Sequence, residues 1–239
     1  YDIDDAIFLR NKYLRSGIDF LIRNSSIVFA ANQYLGDYCR QFSKNVIIVP
    51  TSVDTNRFKP NKKTFNEKSK FVIGWSGTSS SGSYLMNIEE PLFKFFSSHS
   101  NSVLRICSDR EPSYLTKIRE FIEYEPWTPE DEQSQIQRFD VGIMPLIQSE
   151  WIKGKSAYKM LLYMSCGIPV VASNIGLNKD LFKLGTIGIP CDSHEDWYNA
   201  LSEMYMNRDS IHTKYSSGRD IVLQNYSLDS VYNKISHAF

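Results

Sequence analysis

The chain has 239 residues, 42% of them hydrophobic and 13% aromatic, which is enough to bury a sizeable core in one or two domains and excludes a disordered chain. Lysine plus arginine and aspartate plus glutamate balance at 27 each, so a general electrostatic grip on nucleic acid or an anionic membrane surface is excluded, and any anion site must be local. Four widely spaced cysteines (Cys39, Cys107, Cys166, Cys191) and four histidines share no ligand spacing, which argues against structural zinc and for a reduced, cytoplasmic setting.

Tyr1 opens straight into an acidic cluster, YDIDDA, whose Asp2, Asp4 and Asp5 read either as a divalent-metal site or as exposed polar surface. A start on tyrosine reads as a piece of a longer protein. A helical stretch through LRNKYLRSGIDFLIRNS, a strand SIVFAA, a helix QYLGDYCRQF and a strand NVIIVP follow in an α/β rhythm. Pro50 to Lys70 is polar, carries two prolines and has no apolar period, so it reads as a linker and the best domain boundary.

A second series then runs strand FVIGWSG, helix NIEEPLFKFFSSH, strand SVLRICS, helix SYLTKIREFIEY, helix EDEQSQIQRF and strand DVGIMPL. It continues with a helix in GKSAYKMLLYMSC, strand IPVVAS and a short strand GIPC. Continuous apolar strands between amphipathic helices predict a parallel sheet covered on both faces, a doubly wound domain. Two helices, HEDWYNALSEMYMNR and SLDSVYNKISHAF, end the chain, linked by YSSGRDIVLQNY. No apolar run approaches the roughly 20 residues of a membrane span, and no signal peptide is visible.

Doubly wound sheets bind ligands at the carboxyl ends of their strands, so the residues after each strand are the candidates. GWSGTSSSGS, with Gly74, Ser76, Gly77 and Thr78, is a small-residue loop whose N–H groups could approach an anion, or a plain flexible turn. Trp127, in a polar loop between two predicted helices, either stacks on a flat ring or caps the core. In GKSAYKMLLYM, Ala157, Met160, Leu161 and Met164 form the core face of a helix, which puts Lys155, Lys159 and Leu162 opposite it. Gly154 and Ser156 leave the first N–H groups free or capped. Two ammonium groups beside a helix N-terminus suit a doubly charged anion such as a diphosphate; the alternative is a solvated polar face screened by Glu150. After IPVVAS, Gly176 and Asn178 suit a tight turn into a helix pointing at the same edge, or simply a cap.

At GKSAYKMLLYMSCGIPVVASNIGLNKDL, and through FDVGIMPL, NVIIVPTSVDTNRFKP and the C-terminal helices, the chain resembles the group 1 (family 4) glycosyltransferases. The resemblance implies the GT-B fold, two Rossmann-like α/β domains facing across a cleft. Residues 1–60 would be the end of the N-terminal, acceptor-side domain and the hinge, too short for a complete Rossmann-like domain. Residues 61–225 would be the nucleotide-sugar-binding domain, and 226–239 a helix returning toward the N-terminal domain. It further implies a retaining hexosyltransferase-like activity that moves a sugar from a nucleotide-diphosphate-sugar to a glycan or lipid-linked acceptor in cell-surface polysaccharide biosynthesis. No metal or other cofactor is expected. Lys155 and Lys159 would clamp the leaving diphosphate, with Gly74, Ser76, Gly77 and Thr78 by the phosphates, Trp127 near the base, and Gly176 and Asn178 near the sugar. Gly154, Ser156 and Leu162 complete the donor site. Peripheral association with the inner face of the membrane would run through residues preceding Tyr1. The family's usual pair of glutamates is replaced by Gly154 and Leu162, and the usual Arg and Lys after the domain's first strand by GWSGTSSSGS. Two alternatives therefore stand beside transfer: a nucleotide-sugar-binding module without turnover, and a sugar-nucleotide epimerase of the same architecture. The second is weakened by the lack of an acid/base pair at strand ends.

Overall fold

The computed structural model describes residues 1–61 and 69–237. Its strands are β1 (Asp2–Ile3), β2 (Val28–Ala30), β3 (Val46–Ile48), β4 (Phe71–Ser76), β5 (Ser102–Ser108), β6 (Ile122–Pro126), β7 (Val141–Met144), β8 (Val170–Ser173) and β9 (Gly188–Cys191). Its helices are α1 (Lys12–Arg23), α2 (Gln33–Cys39), α3 (Ser79–Gly82), α4 (Glu89–Ser98), α5 (Glu132–Ile136), α6 (Glu150–Lys153), α7 (Tyr158–Ser165), α8 (Gly176–Phe182), α9 (His194–Met206), α10 (Ile211–Lys214), α11 (Ser217–Asn225) and α12 (Leu228–Ser236).

β1, β2 and β3 form a small parallel sheet in that order, and the other six strands a second sheet, β6-β5-β4-β7-β8-β9, parallel throughout. β4, β7 and β8 are buried at every residue, as continuous apolar strands covered on both faces require. Two apolar layers flank the large sheet. One joins α4 and α9 through Leu92, Phe95, Trp197 and Leu201; the other joins α7 and α11 through Met160, Leu161, Met164 and Val222. Glycines let these layers close on the strands. The place of a side chain at Gly74 is filled by the Phe139 ring, and that at Gly142 by the Tyr163 ring.

The helix expected over Ser113 to Tyr124 is not formed. Leu115 and Ile118 are buried at helical spacing, but Ile122 onward pairs with β5 as the edge strand β6. Arg105 of β5 lies 2.7 Å from Glu123 and 3.1 Å from Glu125, cross-strand charge pairs that favour the extended form. The expected link YSSGRDIVLQNY holds a helix, α11, whose Gly218 comes close to Met164 of α7. Gly218 is a point of close helix contact.

The linker is also less polar in effect than its composition. Val53 and Phe58 are buried in the large domain, and Arg219 donates to the carbonyls of Phe58 (3.0 Å), Ser165 (2.6 Å) and Thr55 (3.2 Å). Val53 also accepts from the Leu228 N–H at 3.2 Å, tying the start of α12 to the linker. The boundary expected beside residue 61 and the end of the last helix run into residues 62–68 and 238–239, outside the described residues. The four cysteines are buried and unpaired. Among the described residues, no helix is long and apolar enough to cross a membrane.

Candidate active site

β4 connects onward to one side of the sheet and β7 to the other, so a crevice opens where their carboxyl ends diverge. Gly77 and Thr78 follow β4 into it. Lys159, on the first turn of α7, reaches the same point from above: a side chain at Gly77 would run into the Lys159 stem. The Lys159 Nζ lies 3.4 Å from Ser81 Oγ and 5.5 Å from the Trp75 ring centre. No carboxylate pairs with it among the described residues. Burial first, and the charge of Lys155 second, push its ammonium down to about 8. A half-buried lysine with no carboxylate partner among the described residues, at the switch point of a parallel sheet, is a candidate anion site.

The helix expected from Gly154 starts only at Tyr158. A separate short helix, α6, capped by Ser149, ends at Lys153 with Gly154 as its C-cap; Ala157 then adopts φ 53°, ψ 26°, and α7 follows. The left-handed conformation costs an alanine about 1–2 kcal/mol. Its consequence is that Lys155 leaves the helix and crosses to the small domain, where it pairs with Asp5 at 3.0 Å and lies 5.1 Å from the Trp151 ring centre. Asp5 is thus an ion-pair partner. Glu150, expected to screen the two lysines, binds Lys153 at 2.5 Å and accepts from Tyr34 instead.

Three further expectations are corrected. Leu162 is 3% exposed and lies in the core with Met160 and Met164, because α7 is buried on nearly every side; it cannot touch a donor. Gly74 is inside β4 under Phe139, again away from the crevice. Gly154 is buried against the small domain, where a side chain would come within 2.8 Å of Ala6 Cβ and 2.9 Å of the Ala6 nitrogen. The loop after β4 is not an open nest of N–H donors either. The Ser76 N–H donates to the Tyr163 hydroxyl (2.9 Å), Gly77 to the Cys107 carbonyl (3.0 Å) and Ser79 to Asp109 (2.5 Å). What the loop supplies is smallness: Gly77 admits Lys159, and Thr78 turns the chain into α3.

The remaining expected residues lie at the same edge in different roles. Trp127 follows β6 rather than joining two helices; its N–H donates to Ser108, and its side chain is 38% exposed at the carboxyl end of the sheet. Ser156 is half-buried in the turn between Lys155 and Ala157. Gly176, at φ 53°, lets α8 start 3.1 Å from the Ile152 carbonyl, measured from where a side chain would begin. Asn178 is 1% exposed and donates to the Ser173 carbonyl at 3.2 Å, so it holds the end of β8. Gly176 also lines a crevice of about 650 Å³ between the two domains, with Asn32, Tyr34, Lys153 and Lys179.

Asn32, and the role of Asp5 as the partner of Lys155, are what motif reading misses. Asn32 donates to the carbonyls of Lys153 (3.1 Å) and Lys155 (3.3 Å), so the small domain grips the lysine-bearing turn by its backbone. The acidic cluster was the visible signal for Asp5; Asn32 had none beyond its place after a strand.

The titration of Lys159 makes a test. Above pH 8 the free site loses its proton and must recover one to bind a doubly charged anion, so affinity should be flat to about pH 7.5 and then fall, by up to about tenfold per pH unit, until the pKa of the complex is passed. Isothermal titration with a nucleoside diphosphate from pH 7 to 9.5 measures this. Lys159→Arg, which keeps its charge, should flatten the profile.

The fold is the Rossmann-like α/β architecture of the GT-B type. Residues 91–207 match the sequence profile described as "Glycosyl transferases group 1", which bears out the resemblance read at the α7–β8 motif. Among solved structures, Anabaena Alr3699/HepE in complex with UDP-glucose is 15% identical, at a TM-score of 0.76 over 99% of this chain and 70% of that one. Sucrose-phosphate synthase from Thermosynechococcus elongatus is 12% identical, at a TM-score of 0.69 over 98% of this chain and 63% of that one. TarM is 16% identical, at 0.73 over 95% and 46%. The chain therefore spans between about half and seven tenths of these proteins. No curated protein matches it by sequence.

Proposed function

We propose that the chain carries the donor site of a retaining glycosyltransferase that moves a sugar from a nucleoside-diphosphate sugar to a glycan or lipid-linked acceptor in cell-surface polysaccharide synthesis. One observation carries the reading: Lys159 sits at the switch-point crevice with no carboxylate partner among the described residues, within reach of the charge of Lys155, which pairs with Asp5 of the small domain. When the bond from sugar to phosphate breaks, charge grows on the diphosphate oxygens, and cations fixed beforehand stabilise that state more than the ground state. Burial strengthens the effect at Lys159. On this reading the lysines supply the positive charge, and the reaction is independent of a metal. Trp127 offers a ring to the base from the end of β6, and Gly77, Thr78 and Ser156 border the phosphates. UDP is the nucleotide to try first, since HepE was solved with UDP-glucose. The cytoplasmic face of a membrane is the setting that suits such a donor and a lipid-linked acceptor.

A second reading, binding of a nucleotide-sugar without turnover, is favoured by the apolar Leu162 and by Gly154, neither of which brings a carboxylate. The experiment is a titration of the chain with UDP-, GDP-, ADP- and CMP-sugars, followed by an assay of donor hydrolysis and transfer. Binding of one diphosphate sugar at micromolar concentration is the expected result, and binding of none overturns the proposal. Binding with no turnover in the full-length protein selects the second reading.

A further inference from the structure

The two lysines differ in what lies behind them. Lys159 rests on the large domain, over Gly77 and beside Ser81. Lys155 reaches across to the small domain and ends on Asp5. A diphosphate held by both ammonium groups would run from the large domain toward the small one, with Asp5 beside the end that Lys155 holds. The Asp5 side chain is 33% exposed. A carboxylate offers about four acceptor positions, and one ammonium leaves most of them free.

The placement of Asp5 is fixed from both sides. The next residue, Ala6, is fully buried and presses its backbone against Gly154, while Asn32 holds the carbonyls of Lys153 and Lys155. Because any side chain at Gly154 would collide with Ala6, the lysine-bearing turn cannot bring a carboxylate of its own to this point. The small domain brings one instead. Sugar hydroxyls are donors, and a rigidly held carboxylate beside the phosphate-binding lysine is the acceptor that would read them.

We propose that Asp5 is a specificity-determining residue that accepts hydrogen bonds from hydroxyl groups of the donor's sugar, so that the site tells a nucleotide-sugar from the bare nucleoside diphosphate. This rests on the donor-site reading given above. The test titrates wild type, Asp5→Asn, Asp5→Ala and Asp5→Glu with UDP and with UDP-glucose, or with the corresponding pair for whichever base the wild type binds. UDP is the internal control for folding within each variant. Asp5→Asn and Asp5→Ala should weaken UDP-glucose at least about tenfold while UDP binds as before or tighter, since a negative charge has left the anion site; Asp5→Glu should fall between. Parallel weakening of both ligands would mean that Asp5 only holds the turn, and parallel tightening that it only competes for Lys155. Either result, or no change, overturns the proposal. If wild type binds neither ligand of any pair, the donor-site reading itself has failed, and the wild-type titration alone reveals it.

Discussion

Replacing Lys155 and Lys159 together by alanine should weaken nucleoside-diphosphate binding by about 10² to 10⁴-fold, because a hydrogen bond to a charged group is worth about 1.5–3 kcal/mol and two are lost. The single variants should not share this equally. Lys159→Ala removes a half-buried cation with no carboxylate partner among the described residues, so its loss is that of the attraction alone. Lys155→Ala does more than remove a charge: it leaves Asp5, 3.0 Å from where the ammonium stood, facing the incoming phosphate as an uncompensated anion. Lys155→Ala should therefore be rescued in part by Asp5→Asn, whereas Lys159→Ala should not. Calorimetric titration of the five variants, with far-ultraviolet circular dichroism to confirm folding, measures all of this. An unchanged affinity in the double variant would remove the basis for calling the crevice a diphosphate site.

Most of the large sheet was legible because its strands are continuous apolar runs, and a run such as FVIGWS or DVGIM has few other ways to bury itself. β6 was not legible. Leu115 and Ile118 supply a helical spacing, and the evidence for a strand, Arg105 between Glu123 and Glu125, lies on a different segment. The candidate site divides in the same way. The lysines at the carboxyl edge followed from the order of strands and helices, but the break at Ala157 did not, since nothing local marks an alanine for the left-handed conformation. It goes with contacts 121 to 150 residues away, where Asp5, Ala6 and Asn32 hold the turn against the small domain. Leu162 was misplaced for a related reason. Helical geometry gives the face opposite the core stripe correctly, but α7 has core on both sides.

Gly154→Glu restores the residue that relatives are expected to hold at this place, and it should nevertheless damage the protein. The new Cβ would lie 2.9 Å from the Ala6 backbone nitrogen and 2.8 Å from its Cβ, a contact that a rotamer change cannot relieve because it is made by the first side-chain atom. Overpacking of this kind typically costs about 1–3 kcal/mol, and here the obstacle is backbone, which places the expected loss near the upper figure. For a chain of this size that is a fall in Tm of roughly 6–12 °C. The functional consequence follows from the same movement. Ala6 can yield only by carrying Asp5 with it, so the ion pair to Lys155 and the Asn32 contacts to the turn should loosen together. Nucleotide-sugar affinity should therefore fall even though a carboxylate has been added, and Gly154→Ala, which makes the same collision without the charge, should reproduce most of the loss in Tm. Thermal melts and titrations of the two variants decide the matter. A Gly154→Glu protein that melts as wild type and binds the donor more tightly would show that the glycine is not held in place by Ala6, and that the small domain's carboxylate is dispensable.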